Sequence, residues 1–199
     1  MTTIRPAPTM LLPVDDQPEA TLIEQARAGD EAAFAELMRR YKRPVVNFVY
    51  RMLGDAVEAD DIAQEVFVSA YQHIGAFQAR KTGAKLSTWL FTLAKHAVID
   101  HLRWRKRHPT ESLEPVERSA ASSEAGVAEQ VSTREIGEHI AAAVATLPED
   151  QKTALILAEY NGLSYGEIAQ IMRCSEKSVE ARLYRAKQTL RKRLQFLHD

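Results

Sequence analysis

Residues 163 to 194 constrain the fold more than any other stretch of this chain. They read Leu-Ser-Tyr-Gly-Glu-Ile-Ala-Gln-Ile-Met-Arg-Cys-Ser-Glu-Lys-Ser-Val-Glu-Ala-Arg-Leu-Tyr-Arg-Ala-Lys-Gln-Thr-Leu-Arg-Lys-Arg-Leu. Two apolar stripes at helical spacing flank a turn of three residues, Arg173 to Ser175. Ile168 and Met172 stand one helical turn apart, and Val179, Leu183, Ala186, Leu190 and Leu194 follow at steps of four, three, four and four. Ser164 and Glu167 have the spacing of a capping box, Ser175 stands where a second helix would be capped, and Gly162 ends whatever helix precedes. Ala169 is small, as a close helix crossing requires. Such a pair is a helix-turn-helix. Its second helix would expose Lys177, Arg182, Tyr184 and Arg185, so that its N-terminal half enters a major groove with base edges in reach and cations on phosphate.

The rest of the chain is also helical in pattern. Leu22, Ile23 and Ala26 begin a helix that stops at Gly29, and Asp30 is a good cap for the next. That helix carries Phe34, Leu37, Tyr41, Val45 and Phe48 on one stripe, with a kink or a new turn expected at Pro44 and an end at Gly54. A third runs from about Val57 to Ile74, with Ile62, Val66, Ala70 and Ile74 on one face. Gly75 closes it. A basic loop follows, and Ser87 would cap a fourth helix bearing Leu90, Leu93, Ala97 and Ile99, ending before Pro109. Residues 109 to 134 are rich in Ser, Ala and Glu and read as an acidic linker, and the Pro-punctuated residues 1 to 18 as a flexible tail. Periodicity resumes at Ile136, Ile140 and Val144, and Pro148 precedes a short helix with Ala154, Leu155, Leu157 and Ala158. The expected fold is all-α: two small helical domains, 19–108 and 135–199, joined by a flexible linker.

The formal net charge of −1 hides an uneven distribution. Lys95 to His108 hold five bases against Asp100, and Arg173 to Arg193 hold eight against Glu176 and Glu180. Asp55 to Glu65 hold five acids and no base. Two basic blocks and one acidic block imply two polyanion contacts and one basic partner. Nothing suggests catalysis. No Gly-rich phosphate loop is present, and the adjacent Asp60 and Asp61 diverge on a helix. His96 and His101 are five apart, a poor ligand spacing with no cysteine pair to support zinc. No catalytic residue, metal, cofactor, small-molecule substrate or membrane insertion is expected, and the lone Cys174 fits a cytoplasmic protein without disulfides, as a core-side turn residue.

The segments Asp55-Ala-Val-Glu-Ala-Asp-Asp-Ile-Ala-Gln-Glu-Val-Phe and Leu86-Ser-Thr-Trp-Leu-Phe-Thr-Leu-Ala-Lys-His-Ala-Val-Ile-Asp-His-Leu-Arg are both amphipathic. In this order, followed by an acidic linker and a helix-turn-helix, they closely resemble bacterial extracytoplasmic-function (ECF) sigma factors. Ala28-Gly-Asp-Glu-Ala-Ala-Phe, Leu147-Pro-Glu and Gly162-Leu-Ser-Tyr-Gly-Glu-Ile-Ala are further landmarks, and the likeness covers roughly residues 19 to 108 and 135 to 195. The resemblance implies that the chain binds core RNA polymerase and directs it to promoters under the control of an anti-sigma factor. Asp60, Asp61, Gln64 and Glu65 of region two would face a basic coiled coil on the polymerase. The loop from Phe77 to Ser87 and the helix from Thr88 to Arg107 would melt and read the minus-ten element. There Trp89 and Phe91 would offer stacking surfaces, His96 would line a base pocket, and Lys95, Arg103, Arg105, Lys106 and Arg107 would hold the backbone. Region four would read the minus-thirty-five duplex through Lys177, Ser178, Glu180, Ala181, Arg182, Tyr184 and Arg185.

Three positions depart from the family pattern. His96 stands where relatives commonly carry Asn, and offers one donor and one acceptor in place of an amide pair. Glu180 and Ala181 stand where a basic and a small hydroxyl residue are usual; Glu180 would repel phosphate yet accept a bond from cytosine N4. All three bear on promoter sequence. On the residues alone a stand-alone helix-turn-helix regulator and an adaptor without DNA contact stay open; the acidic helix weighs against the first and the two basic blocks against the second.

Overall fold

The computed structural model describes residues 17–77, 85–108 and 127–195. The tail before residue 17, the tip of the basic loop and residues 109–126 of the expected linker lie outside the described residues. Among those described there are eight α-helices and no strand: α1 Glu19–Arg27, α2 Glu31–Leu53, α3 Ala56–His73, α4 Leu86–Arg107, α5 Val127–Ala145, α6 Glu149–Leu155, α7 Tyr165–Met172 and α8 Glu176–Arg193.

Helices α1 to α4 form the first bundle. The Asp30 side chain accepts from the backbone N–H groups of Ala32 and Ala33, satisfying two of the donors a helix start leaves orphaned. Gly54 closes α2 in the left-handed region at φ 84°, which an L side chain would resist. Between these caps α2 runs unbroken through Pro44, so no new helix starts there. Proline costs one rung of the ladder, and the buried Val45, Phe48, Val49 and Met52 beyond it hold the second half of α2 in the bundle. Phe48 meets Phe91 of α4 edge-to-face, 5.6 Å between centroids. Glu36, buried in α2, takes bonds from Arg39 (2.7 Å) and Arg40 (2.6 Å), which hold its carboxyl at about 2. Arg40 also donates to the carbonyl of Gln17, fixing the chain where α1 begins.

Three boundaries differ from expectation. Helix α3 ends at His73 and a 3-10 turn, Ile74–Ala76, takes up Gly75. Helix α4 starts ahead of Ser87, with Lys85 at the cap position and no side-chain cap bond, because Leu86 is itself drawn into the core. Helix α5 starts at Val127 rather than near residue 135, inside the stretch read as linker.

Helices α5 to α8 form the second bundle around Ile156, Leu157, Ile168, Ile171 and Val179. After α6 the chain widens into a π-helical segment, Ile156–Tyr160. Both halves of the capping box at Ser164 and Glu167 are made, and Ser175 caps α8 through the N–H of Ser178. Between them Arg173 closes α7 at φ 51°, the one non-glycine residue with positive φ among those described. The Ser164 hydroxyl and backbone N–H, then Lys85, hold the Glu167 carboxyl at about 2. Ser164→Ala is therefore expected to cost about 1 kcal/mol at neutral pH. Because the Glu167 pKa is depressed, its share of stability is present above the ordinary carboxylate range and is lost as pH falls toward 2. Urea unfolding of parent and variant across that range should therefore show their difference shrinking on acidification.

Candidate nucleic-acid interface

The acidic face of α3 is open. Asp60, Asp61, Gln64 and Glu65 are all exposed, and none makes an ion pair within the described chain. With Val68, Ser69 and Gln72, three of them (Asp61, Gln64 and Glu65) line a shallow groove, and Val68 at its centre is 57% exposed. The opposite side of α3 carries Ile62, Val66 and Ala70 into the core, so the 3.6-residue period alone sorts the acids outward. Glu58 is the exception on this helix: it is half-buried, accepts from Arg105 Nη1 at 3.1 Å and lies 3.3 Å from His101.

Helix α4 presents two different chemistries. Its first half is core: Phe91 is buried against Phe48, and Trp89 is half-buried with its ring against Phe77, 5.1 Å between centroids. Phe91 is therefore unavailable for stacking on a base. The second half is cationic. Lys106 and Arg107 are exposed, and Arg103 pairs with Asp100 only at the surface. Arg105 is tied to Glu58. An aromatic the sequence reading passed over stands among them: Trp104, 41% exposed, in a stack with His101 and His108.

Lys95 and His96, midway along α4, face the second bundle. Lys95 Nζ donates to the carbonyl of Ile171 at 3.1 Å. Burial, and then the charge of Arg173, lowers the pKa of this lysine. His96 is held below the ordinary imidazole range by burial first, then by Lys95 and Arg173, with Asp100 opposing. From the other side Lys152 of α6 donates to the carbonyl of Met52 at 2.8 Å, and burial lowers its pKa too. Ile171 and Met52 lie in the last turns of α7 and α2, where carbonyls lack partners within their own helix and the helix dipole is negative. Each bundle thus lends a lysine to a helix end of the other. The seam is completed by Lys85 with Glu167 (2.9 Å) and by the Arg51 guanidinium 3.6 Å over the Tyr160 ring, which the π segment carries.

On the helix-turn-helix, Lys177, Glu180, Tyr184 and Arg185 are exposed on α8, and Ser178 and Ala181 are half-buried between them. Arg182 does not join that face. Its Nε donates to Asp150 at 2.9 Å and its Nη1 lies 2.9 Å from Cys174 Sγ, so it braces α8 against the first turn of α6. The spacing along α8 put Arg182 beside Lys177 and Arg185; a partner 32 residues upstream redirects it. Cys174 is partly buried at the edge of the core, as a turn residue should be.

Residues 37–108 match the family described as Sigma-70 region 2, and residues 137–190 match Sigma-70, region 4. The chain is 35% identical over 181 residues to the RNA polymerase sigma-H factor of Pseudomonas aeruginosa, covering 87% of this chain and 92% of that one. It is 34% identical over 185 residues to the ECF RNA polymerase sigma factor SigW of Bacillus subtilis, covering 88% and 96%. Its fold resembles that of the sigma factor RpoE of Bartonella quintana in complex with the anti-sigma factor NepR, with a TM-score of 0.64, 24% identity, and coverage of 81% and 96%.

The lysine seam makes the closed arrangement testable without touching an expected DNA contact. Lys152→Met removes one donor and leaves the Met52 carbonyl unpaired, so the two bundles should separate and the radius of gyration from small-angle scattering should rise; an unchanged radius counts against the seam. Since His96 takes up a proton less readily in the closed arrangement than when exposed, acid should loosen the seam as pH falls below about 6.5, whereas alkali should not.

Proposed function

The chain belongs to the ECF group of RNA polymerase sigma factors, and from that premise we propose that it binds core RNA polymerase, carries it to a two-part promoter and opens the minus-ten segment by binding energy alone. The observation that carries this reading is the exposed, unpaired acidic face of α3, set apart from two cationic surfaces on α4 and α8. One molecule with that division grips a basic protein at one place and polyanions at two others. A stand-alone repressor has no use for the acidic groove.

The proposed contacts follow from it. Asp60, Asp61, Gln64 and Glu65 meet the polymerase, with Val68 as the apolar centre of the patch. Arg103, Lys106 and Arg107 hold the melted strand, and His96 and Lys95 join them once the second bundle moves away. Lys177, Glu180, Tyr184 and Arg185 face the minus-thirty-five duplex, with Ser178 and Ala181 letting the backbone come close; Arg182 positions α8. Nothing in this work requires the chain to make or break a covalent bond, so it acts as an initiation factor in the cytoplasm, where polymerase is found. No helix among the described residues is long and apolar enough to cross a membrane.

Lys95 and His96 face the second bundle in this arrangement, so the closed form is the inactive one, and an anti-sigma factor would act by stabilising it. Polymerase would compete by drawing the two bundles onto separate sites, at the cost of the lysine–carbonyl bonds of the seam.

Asp60→Asn, Asp61→Asn and Glu65→Gln together remove the charge and keep the shape. This variant should lose more than about tenfold in affinity for core polymerase, and lowering the salt should tighten the parent's binding but hardly the variant's. Retention of core binding by the neutralised face would overturn the assignment.

A further inference from the structure

We propose that Asp150 is a positioning residue that sets the specificity of the minus-thirty-five contact, by holding Arg182 as a brace for α8 and so keeping that cation off the DNA backbone; this rests on reading α8 as the helix facing that duplex. Asp150 stands in the first turn of α6, and its Oδ2 accepts from Arg182 Nε at 2.9 Å. Elsewhere on the guanidinium, Nη1 lies 2.9 Å from Cys174 Sγ, and only 22% of the Arg182 side chain is exposed. The fork is therefore committed inside the second bundle. A thiol is a weak acceptor, so the carboxylate is the partner that decides where the guanidinium points. Arg182 stands four residues after Ser178 and three before Arg185, which makes it their neighbour on the helix surface. Released from Asp150, its long side chain reaches the same flank of a duplex as Arg185.

The charge along α8 shows what this restraint does. From Ser175 to Arg185 there are three bases, Lys177, Arg182 and Arg185, and two acids, Glu176 and Glu180. With Arg182 paired to Asp150, two bases are left against two acids. Lys187, further along α8, is likewise paired, with Glu159 at 2.8 Å. Phosphates are the same in every sequence, so a cation resting on one adds the same affinity to every duplex and steepens its salt dependence. Sequences are told apart by side chains on base edges, and those work only when their helix sits at the right angle. One carboxylate acts on both. It keeps a cation off phosphate, which holds down affinity for all sequences alike. It also fixes α8 against α6, which brings Lys177, Glu180 and Arg185 to the bases in register. Losing it should tighten the grip on any duplex and misplace the readers of the right one.

The test uses the holoenzyme, this chain with core RNA polymerase, and short paired duplexes that lack a minus-ten element. One carries the minus-thirty-five sequence that the parent holoenzyme selects from a random pool, and the other carries it scrambled. Affinities are measured over a series of salt concentrations. Asp150 is 53% exposed, so Asp150→Ala removes the acceptor without opening the core. This variant should bind the scrambled duplex about threefold more tightly than the parent and the selected duplex no more tightly, and log affinity should fall more steeply with log salt by about 0.9, the increment of one phosphate contact. Arg182→Gln, alone or added to Asp150→Ala, should weaken the selected duplex and leave the salt dependence as in the parent. An Asp150→Ala slope equal to the parent's overturns the proposal, because a purely structural brace adds no phosphate contact when it is lost. A steeper slope that survives Arg182→Gln overturns it as well, since the added contact would not be Arg182's, and so does an unchanged preference between the two duplexes. Failure of the parent to engage core polymerase, or to select any sequence, would instead sink the functional reading on which this rests.

Discussion

The carbonyls at the end of an α-helix need donors from somewhere else, and in this molecule two of them are supplied across a domain boundary. Lys95 donates to the last turn of α7 and Lys152 to the last turn of α2. Both ammonium groups are partly withdrawn from water, which by itself disfavours their charge. Each is held charged by an acceptor at the negative end of a helix dipole. The closed arrangement joins this exchange to apolar packing, since the buried cores of the two bundles form one continuous cluster and the Thr153 hydroxyl lies 3.7 Å from the Met52 sulfur. The Arg51–Tyr160 contact and the Lys85–Glu167 pair involve exposed or half-exposed groups, whose net worth in water is small.

That balance suits a protein which must pass between partners. A seam made of a large apolar face would commit the two bundles to each other. Where part of a seam is charge-assisted bonds, that part gives way when a surface of greater complementarity offers itself. The acidic groove on α3 is lined by residues of that helix alone, so on the proposed reading polymerase has a place to begin while α4 and α7 are still in contact. On the same reading His96 and Lys95 are uncovered only afterwards.

Much of the fold was legible in the sequence because it is written in local signals. Asp30, Gly54, Ser164 with Glu167, and Ser175 each act within four residues of themselves, and all five sit where spacing placed them. The outward face of α3 follows from periodicity alone. What was not legible depends on contacts remote in sequence. Arg182 meets an acid 32 residues away, and Lys95 a carbonyl 76 residues away. Neither distance leaves a trace in the pattern of either helix. The start of α4 moved because Leu86 is claimed by the core, which no cap rule foresees. Trp104 was missed for a different reason. Its neighbours Arg103 and Arg105 drew the stretch into a charge block, while attention went to the aromatics at the other end of the helix, where Phe91 is buried and Trp89 half-buried.

The acceptors that Lys95 and Lys152 use are main-chain oxygens, and every residue has one. Any side chain that the core accepts at residue 171 or residue 52 therefore leaves the bond intact, provided its helix still ends where it does. At these two bonds the contact constrains the lysine and the helix end, and not the side chain opposite. Paired substitutions, the usual fingerprint of two surfaces that have adapted to one another, would be faint or missing at a place where the contact is real.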